Sequence, residues 1–270
     1  MLFKNIVRIP IAVFMGSLIL FTGCGTNSGS GTGSMTVEMA DAPIDSAEAV
    51  NVFIERVEVN REGNSDSWVT LSEPQQEYDL LELTNGATTV IGSAELEAGT
   101  YPQIRLILSN DGHSVEVDEN VHEMFIPSGA QTGIKLNINA EIQEDIEYVL
   151  LLDFDASRSV VEAGQNDQHP YILKPVIKAT EKAITGNIEG TINPAEAWPV
   201  VYAIADPDTL ASTIADTSNG YFKLIGLVDG TYDVSIDPRN DDYSGETVSD
   251  VEVTVEETNN IGTVDLSQNN

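Results

Sequence analysis

Apolar and polar residues alternate along most of this chain, and that two-residue period restricts it to sheets. Val50-Asn51-Val52-Phe53-Ile54, Ile134-Lys135-Leu136-Asn137-Ile138 and Val251-Glu252-Val253-Thr254-Val255 each put every second side chain on one face, as a half-buried strand requires. No long stretch carries the 3.6-residue spacing of an amphipathic helix. Between the runs stand Asn85-Gly86, Asp111-Gly112, Asn219-Gly220 and Asp229-Gly230, pairs that reach positive φ at little cost and turn antiparallel strands. The fold class is therefore expected to be all-β. Two antiparallel β-sandwich-like modules in tandem suit the length of 270 residues. The first is expected over residues 35–180, closed by Tyr171-Ile172-Leu173-Lys174-Pro175-Val176-Ile177, where Pro175 favours an edge or terminal strand because it has no N–H to donate. The second, over 184–270, opens with the new alternating series Ile184 to Gly190. Leu96-Glu97-Ala98-Gly99-Thr100-Tyr101 and Leu227-Val228-Asp229-Gly230-Thr231-Tyr232 echo each other, which reads as shared local physics rather than a duplication.

At the amino terminus, Lys4 and Arg8 precede an apolar run from Ile9 to Phe21 that ends in small residues before Cys24. A charged start, a short apolar core and a small-residue end make residues 1–23 a secretory signal. The run falls short of the ~20 residues a membrane-spanning helix needs. Phe21-Thr22-Gly23-Cys24 resembles the lipobox of bacterial lipoproteins, although Phe21 stands where leucine is usual and Leu20 is its neighbour. The resemblance implies lipidation of Cys24, the only cysteine in the chain, so no disulfide can form within it. Residues 24–34 then form the lipidated cysteine and a Gly/Ser/Thr tether too polar to bury itself. Gly25 lacks the aspartate that signals inner-membrane retention in enterobacteria, so the expected location is the outer membrane or the cell surface.

Charge narrows the partners. The chain has 12 Lys and Arg against 44 Asp and Glu, a net charge of −32, and loss of Lys4 and Arg8 with the signal makes it more acidic still. Such a field repels nucleic acid and anionic headgroups, so neither is expected as a ligand. The acids are spread through both modules, the pattern of solubility or of adaptation to salty water.

Catalytic chemistry is hard to place. His113, His122 and His169 have no helix-borne zinc spacing, and His122-Glu123 lacks a second histidine four residues on. Ser128 in Pro127-Ser128-Gly129 reads as a turn rather than a nucleophile elbow. The chain is expected not to be an enzyme. Asp153 and Asp155 lie two apart on an expected strand and share a face. They require either structural ion pairs with Arg105 and Lys135, or an oxygen-rich calcium site completed by loop carbonyls. The calcium loop motif is absent, which favours the ion pairs.

Residues 35 to about 180 resemble a family of bacterial lipoprotein domains of unknown function, through Asp41-Ala42-Pro43, Tyr78 to Leu83, Ala98 to Leu106, Pro127 to Leu136 and Leu152 to Val160. Residues 184–266 resemble the carboxypeptidase-regulatory-like sandwiches, similar in shape to transthyretin and to starch-binding domains. That match rests on Gly186 to Gly190, Asn219 to Leu224 with Gly226-Leu227, and Gly230 to Val234. These resemblances imply fold, not activity. The expected role is a non-enzymatic binding or scaffold lipoprotein of the envelope, with an envelope protein or a polysaccharide as partner. The starch-binding likeness implies carbohydrate binding as the alternative, with Trp198, Tyr243 and Tyr221 as candidate stacking surfaces; an accessory subunit of a hydrolase is a further one.

Overall fold

The computed structural model describes residues 31–42, 47–63, 68–127, 132–163 and 170–269. Cys24, the signal before it, the tether to residue 30, Pro43, Ser128 and His169 lie outside the described residues.

The protein is all-β, as its alternation predicts. Among the described residues thirteen strands precede residue 182: β1 (Thr32–Ala42), β2 (Ala49–Asn60), β3 (Trp68–Ser72), β4 (Gln76–Asp79), β5 (Thr89–Glu97), β6 (Gly99–Leu108), β7 (Ser114–Val117), β8 (Asn120–Phe125), β9 (Ile134–Ile142), β10 (Glu147–Asp155), β11 (Val160–Glu162), β12 (Tyr171–Leu173) and β13 (Ile177–Glu181). They form a four-stranded sheet in the order β13-β10-β1-β5 and a nine-stranded sheet along β11-β12-β8-β7-β2-β6-β9, with β3 and β4 also pairing β2. The alternating faces of β1 (Met35, Val37, Met39), β2 (Val50, Val52, Ile54) and β10 (Leu150, Leu152, Phe154) meet in one apolar core. Most of the first sheet is antiparallel, but β1 and β10 pair in parallel, from Ser34 opposite Glu147 to Ala42 opposite Asp155.

Seven more strands follow: β14 (Thr185–Asn193), β15 (Val200–Ala205), β16 (Asp208–Ile214), β17 (Tyr221–Val228), β18 (Gly230–Asp237), β19 (Glu246–Val253) and β20 (Thr258–Asp265). They build a three-stranded sheet, β17-β14-β20, and a four-stranded one, β16-β15-β18-β19. A separate core around Ile188, Phe222, Leu224, Tyr232, Val234 and Ile236 lies between them.

The two echoed Gly-Thr-Tyr segments are corners. Each glycine carries the chain from one sheet to the other, from β5 to β6 and from β17 to β18, rather than around a hairpin. Gly99 and Gly230 take φ of 147° and 159°. The hydroxyls of Tyr101 and Tyr232 each donate to the carbonyl four residues upstream, Glu97 at 3.0 Å and Val228 at 2.8 Å. A buried tyrosine whose hydroxyl ties back to the preceding backbone fixes such a corner, as in other sandwiches. The run from Tyr171 to Ile177 is not one strand. Lys174-Pro175-Val176 breaks it, so that β12 joins the larger sheet and β13 the smaller.

Candidate functional site

Most of what is chemically distinctive lies where the first thirteen strands meet the last seven. The turn Asn85-Gly86 has positive φ at both positions, 57° and 79°, which suits this residue pair. It leaves the 3-10 turn Leu80–Leu83 and enters β5, so it docks on the later strands instead of closing a hairpin. The Asn85 N–H donates to Thr213 Oγ1 at 2.8 Å, and Asn85 Oδ1 accepts from Thr213 Oγ1 and from the Lys223 N–H, each at 3.2 Å. Thr213 is buried by this contact. Nearby, Lys182 Nζ donates to both oxygens of Glu38, at 2.9 and 2.7 Å, and Lys178 Nζ donates to the Leu210 carbonyl at 3.2 Å.

Beside that turn is an open cleft of about 410 Å³. Ala47, Glu48, Leu81, Thr84 and Asn85 line one side, and Trp198, Ile214, Ala215, Asp216 and Arg239 the other. Trp198 ends the 3-10 turn Ala195–Ala197 in the left-handed conformation, φ 46° and ψ 55°. An L-residue with a Cβ pays roughly 1–2 kcal/mol there. The backbone around it is well tied: Trp198 N–H donates to the Ala195 carbonyl at 3.0 Å, and Asn240 N–H to the Ala197 carbonyl at 3.3 Å. Trp198 is 43% exposed, and the Arg239 guanidinium lies over its indole, 4.4 Å from the ring centroid. Strain spent on an exposed aromatic marks a place where function is to be sought.

The other two candidate aromatics do not extend this surface. Tyr243 is buried in the second core rather than exposed in its loop, because its hydroxyl donates to Glu196 Oε1 at 2.5 Å and its backbone bridges Gln268. Tyr221 is half-buried on β17 and donates to Glu189 Oε2 at 3.1 Å. Of the three, only Trp198 faces the cleft.

The expected cluster of Arg105 and Lys135 with Asp153 and Asp155 does not form. Arg105 and Lys135 are directly opposite each other on β6 and β9, in the nine-stranded sheet, whereas the aspartates belong to β10 in the other sheet. Arg105 instead forks onto the buried Glu58 of β2, with Nε 2.8 Å from Oε2 and Nη2 on the same oxygen. Arg56 Nε lies 2.8 Å from the second carboxylate oxygen. Trp68 caps the group, its ring centroid 4.3 Å from the Arg105 guanidinium and 5.5 Å from Lys135 Nζ. Sequence spacing alone could not bring Glu58 and Trp68 to Arg105; the strand register does.

Asp153 pairs across strands with Lys178. Burial pushes its carboxyl up to about 6, against the favourable field of Lys178 and with the help of Asp155. Asp155 ends β10 and caps the short helix Ala156–Ser159, its Oδ1 accepting from Arg158 N–H at 3.0 Å and from Ser157 Oγ at 2.7 Å. Asp41 went unnoticed as a site residue. It is buried, its Oδ1 accepts from Ala156 N–H at 3.0 Å, and its Oδ2 has no hydrogen-bond partner among the described residues. Burial holds its carboxyl well above the usual range, and Asp153, Asp155 and Asp79 add to that rise. Among the described residues no three His, Cys, Asp or Glu side chains converge as a metal site.

The described histidines are structural. His113 Nδ1 accepts from the Phe53 N–H at 3.1 Å, so its Nε2–H is left to donate to the Ser109 carbonyl at 2.9 Å. Burial depresses its pKa, in keeping with a neutral ring. His122 packs at 5.2 Å on Tyr171.

These features define an all-β, multi-sheet protein with a polar junction and an aromatic cleft. Residues 32–175 match the model of the domain of unknown function DUF4382, and the chain belongs to that family. No curated protein matches it. Solved structures with similar β-rich architecture include a type II cohesin–X-dockerin complex from Acetivibrio cellulolyticus, at 18% identity and a TM-score of 0.24, covering 31% of this chain. The chain spans 58% of the length of that structure. The minor pilin GBS52 of Streptococcus agalactiae is similar at 12% identity and a TM-score of 0.24, with 89% of this chain and 97% of the pilin covered. The shaft pilin spaA of Lactobacillus rhamnosus GG gives 10% identity and 0.24, with 89% and 98% covered. Likenesses this slight carry no functional argument.

Proposed function

We propose that this chain is a non-enzymatic binding module of the cell envelope, anchored by lipid on Cys24 at the outer membrane or cell surface, with its ligand seated in the cleft beside Trp198. The observation that carries the reading is the exposed indole held in a costly backbone conformation and covered on one side by Arg239. A large flat ring that is kept partly wet at the mouth of a cleft is a contact surface. The cleft draws walls from both halves of the protein, so an occupant would also brace the junction. Its floor of Ala47, Leu81, Ile214 and Ala215 is apolar, and Glu48, Thr84, Asp216 and Arg239 supply polar groups to orient a ligand.

A polysaccharide is the second reading. A sugar ring can stack on an indole while carboxylates accept its hydroxyls, and Trp198 with Glu48 and Asp216 offers that combination at one place. Tyr221 and Tyr243 take no part in it.

The test is binding of the mature protein to purified envelope polysaccharides and to purified envelope proteins, followed by the emission of its tryptophans. A ligand of the cleft shifts the emission of Trp198 and loses at least tenfold in affinity in Trp198→Ala. Binding that is indifferent to both Trp198→Ala and Arg239→Ala removes the cleft from consideration. The anchor is tested separately: fatty-acid label should enter the native protein and not Cys24→Ser.

A further inference from the structure

A second surface lies on the outward face of the nine-stranded sheet. Along β8 the side chains of Val121, Glu123 and Phe125 share that face, because alternate residues of a strand point the same way, while Met124 is buried in the core. Val121 is 66% and Phe125 45% exposed. The register extends the row sideways. Phe125 is opposite Ile172 of β12, and Ile172 is opposite Val161 of β11, so Phe125, Ile172 and Val161 stand abreast across three strands. The β8–β12 pair is parallel in an otherwise antiparallel sheet, and a sheet face that meets water normally carries polar residues. A contiguous apolar row on that face is the mark of a contact surface.

At its Phe125 end the row borders an acidic groove. A groove of about 400 Å³ runs there, lined by Glu77, Asp111 and Glu123 together with His113, Val121 and Phe125, and among the described residues no lysine or arginine lines it. Glu116 of β7 is opposite Val121, adding a further acid at the edge. His113 contributes no positive charge, its ring being neutral and bound to backbone.

We propose that this face docks a basic protein segment: apolar side chains on the Phe125–Ile172–Val161 row and Lys or Arg side chains against Glu77, Asp111 and Glu123. Complementary charge selects the partner. Anionic lipid and nucleic acid are repelled by the acids, and a neutral apolar segment would leave those carboxylates facing nothing, whereas a cationic one is steered to the groove and then held by the apolar row. The site is distinct from the Trp198 cleft and does not depend on it.

The probe is a synthetic peptide in which Lys alternates with Leu and Phe, titrated by fluorescence anisotropy into the mature protein. Phe125→Ser should weaken binding at least tenfold, and Glu123→Lys should weaken it further and flatten its salt dependence. Both sites are exposed, so thermal unfolding is expected to stay unchanged and to certify the fold. The control is Val90→Ser, an exposed residue of β5, in the other sheet, which should leave affinity as it was. Equal affinity for native protein and Phe125→Ser would show only diffuse attraction of a cation to an acidic protein and would overturn the proposal. Binding of anionic vesicles through Phe125 would overturn it as well, making the face a membrane contact.

Discussion

Glu58 and Asp41 are both buried carboxylates on long strands of the first sheet pair, and their surroundings differ in kind. Glu58 has two N–H groups of one arginine on one oxygen, a second arginine beside the other, and an indole over the first arginine. Asp41 has one backbone N–H for one oxygen, nothing for the other, and three aspartates close enough to raise its pKa. A buried charge costs several kcal/mol unless it is paired and hydrogen-bonded, so the arginines offset the burial of Glu58, whereas nothing comparable offsets that of Asp41 and burial drives it toward its neutral form. The contrast teaches that acidity of the whole chain does not set the state of any one acid. Register does, by deciding which strand brings a cation.

Breaking the satisfied side should have the largest effect. Arg105→Ala leaves Glu58 buried beside Arg56 alone, and removing one partner of such a pair costs about 3 kcal/mol. Denaturant unfolding checks it. A loss below about 1 kcal/mol would place the pair in effect at the surface.

Asp153, raised by burial as Asp41 is, should answer to pH in the opposite sense from a carboxylate whose pairing lowers its pKa. Asp153, with its folded pKa near 6 against 3.8 for the free side chain, binds its proton more tightly when folded. Its contribution is therefore favourable at low pH and is lost as pH rises from about 4 through 6. Between pH 4 and pH 7 native protein should lose on the order of 2 kcal/mol relative to Asp153→Asn. Parallel pH profiles for the two proteins would contradict that assignment. His113 works the other way, since its depressed pKa withdraws stability below about 6.5, and it is present in both proteins and cancels in the comparison.

Asp41→Asn should have the smallest effect. It keeps the acceptor for Ala156 N–H and removes the charge, so at pH 7 it should stabilise by about 1 kcal/mol. The gain should shrink toward acid, where Asp41 is already neutral. Destabilisation at pH 7 would mean that the free oxygen of Asp41 has a cationic partner in solution.

The all-β class and the faces of the strands could be read directly, because period-2 burial is a local property: Phe222 and Leu224 inward on β17, Tyr232 and Ile236 inward on β18. The tyrosine corners were visible as an echo, although their role as sheet crossings was not, since Gly-Thr-Tyr says where the chain bends and not which sheet it joins. The polar groupings were illegible for a different reason. Asp153 with Asp155 is a neighbour pair in sequence, whereas Glu58 with Arg105 and Thr213 with Asn85 are separated by 47 and 128 residues. Spacing cannot register such strands. Tyr243 gives no local sign of burial, since Asp241-Asp242-Tyr243 is a polar stretch, yet its ring packs in the second core while its hydroxyl donates to Glu196. The left-handed Trp198 left no signal in the sequence beyond the proline that follows it.

The parallel pairing of β1 with β10 has a consequence in time. Thr36 reaches Glu147 across 111 residues of chain, so a polypeptide leaving a narrow exit amino-terminus first presents β1 long before its partner exists. Joining ends so far apart is slow compared with closing a hairpin. Until Glu147–Asp155 has emerged, β5 can pair one edge of β1 and β2 can face Met35, Val37 and Met39, but the edge that takes β10 stays open and the core lacks Leu150, Leu152 and Phe154. A chain truncated before Glu147 is therefore expected to be cut by protease within β1, while the full chain is not. Protection of β1 in the truncated chain would show that the edge facing β10 needs no cover.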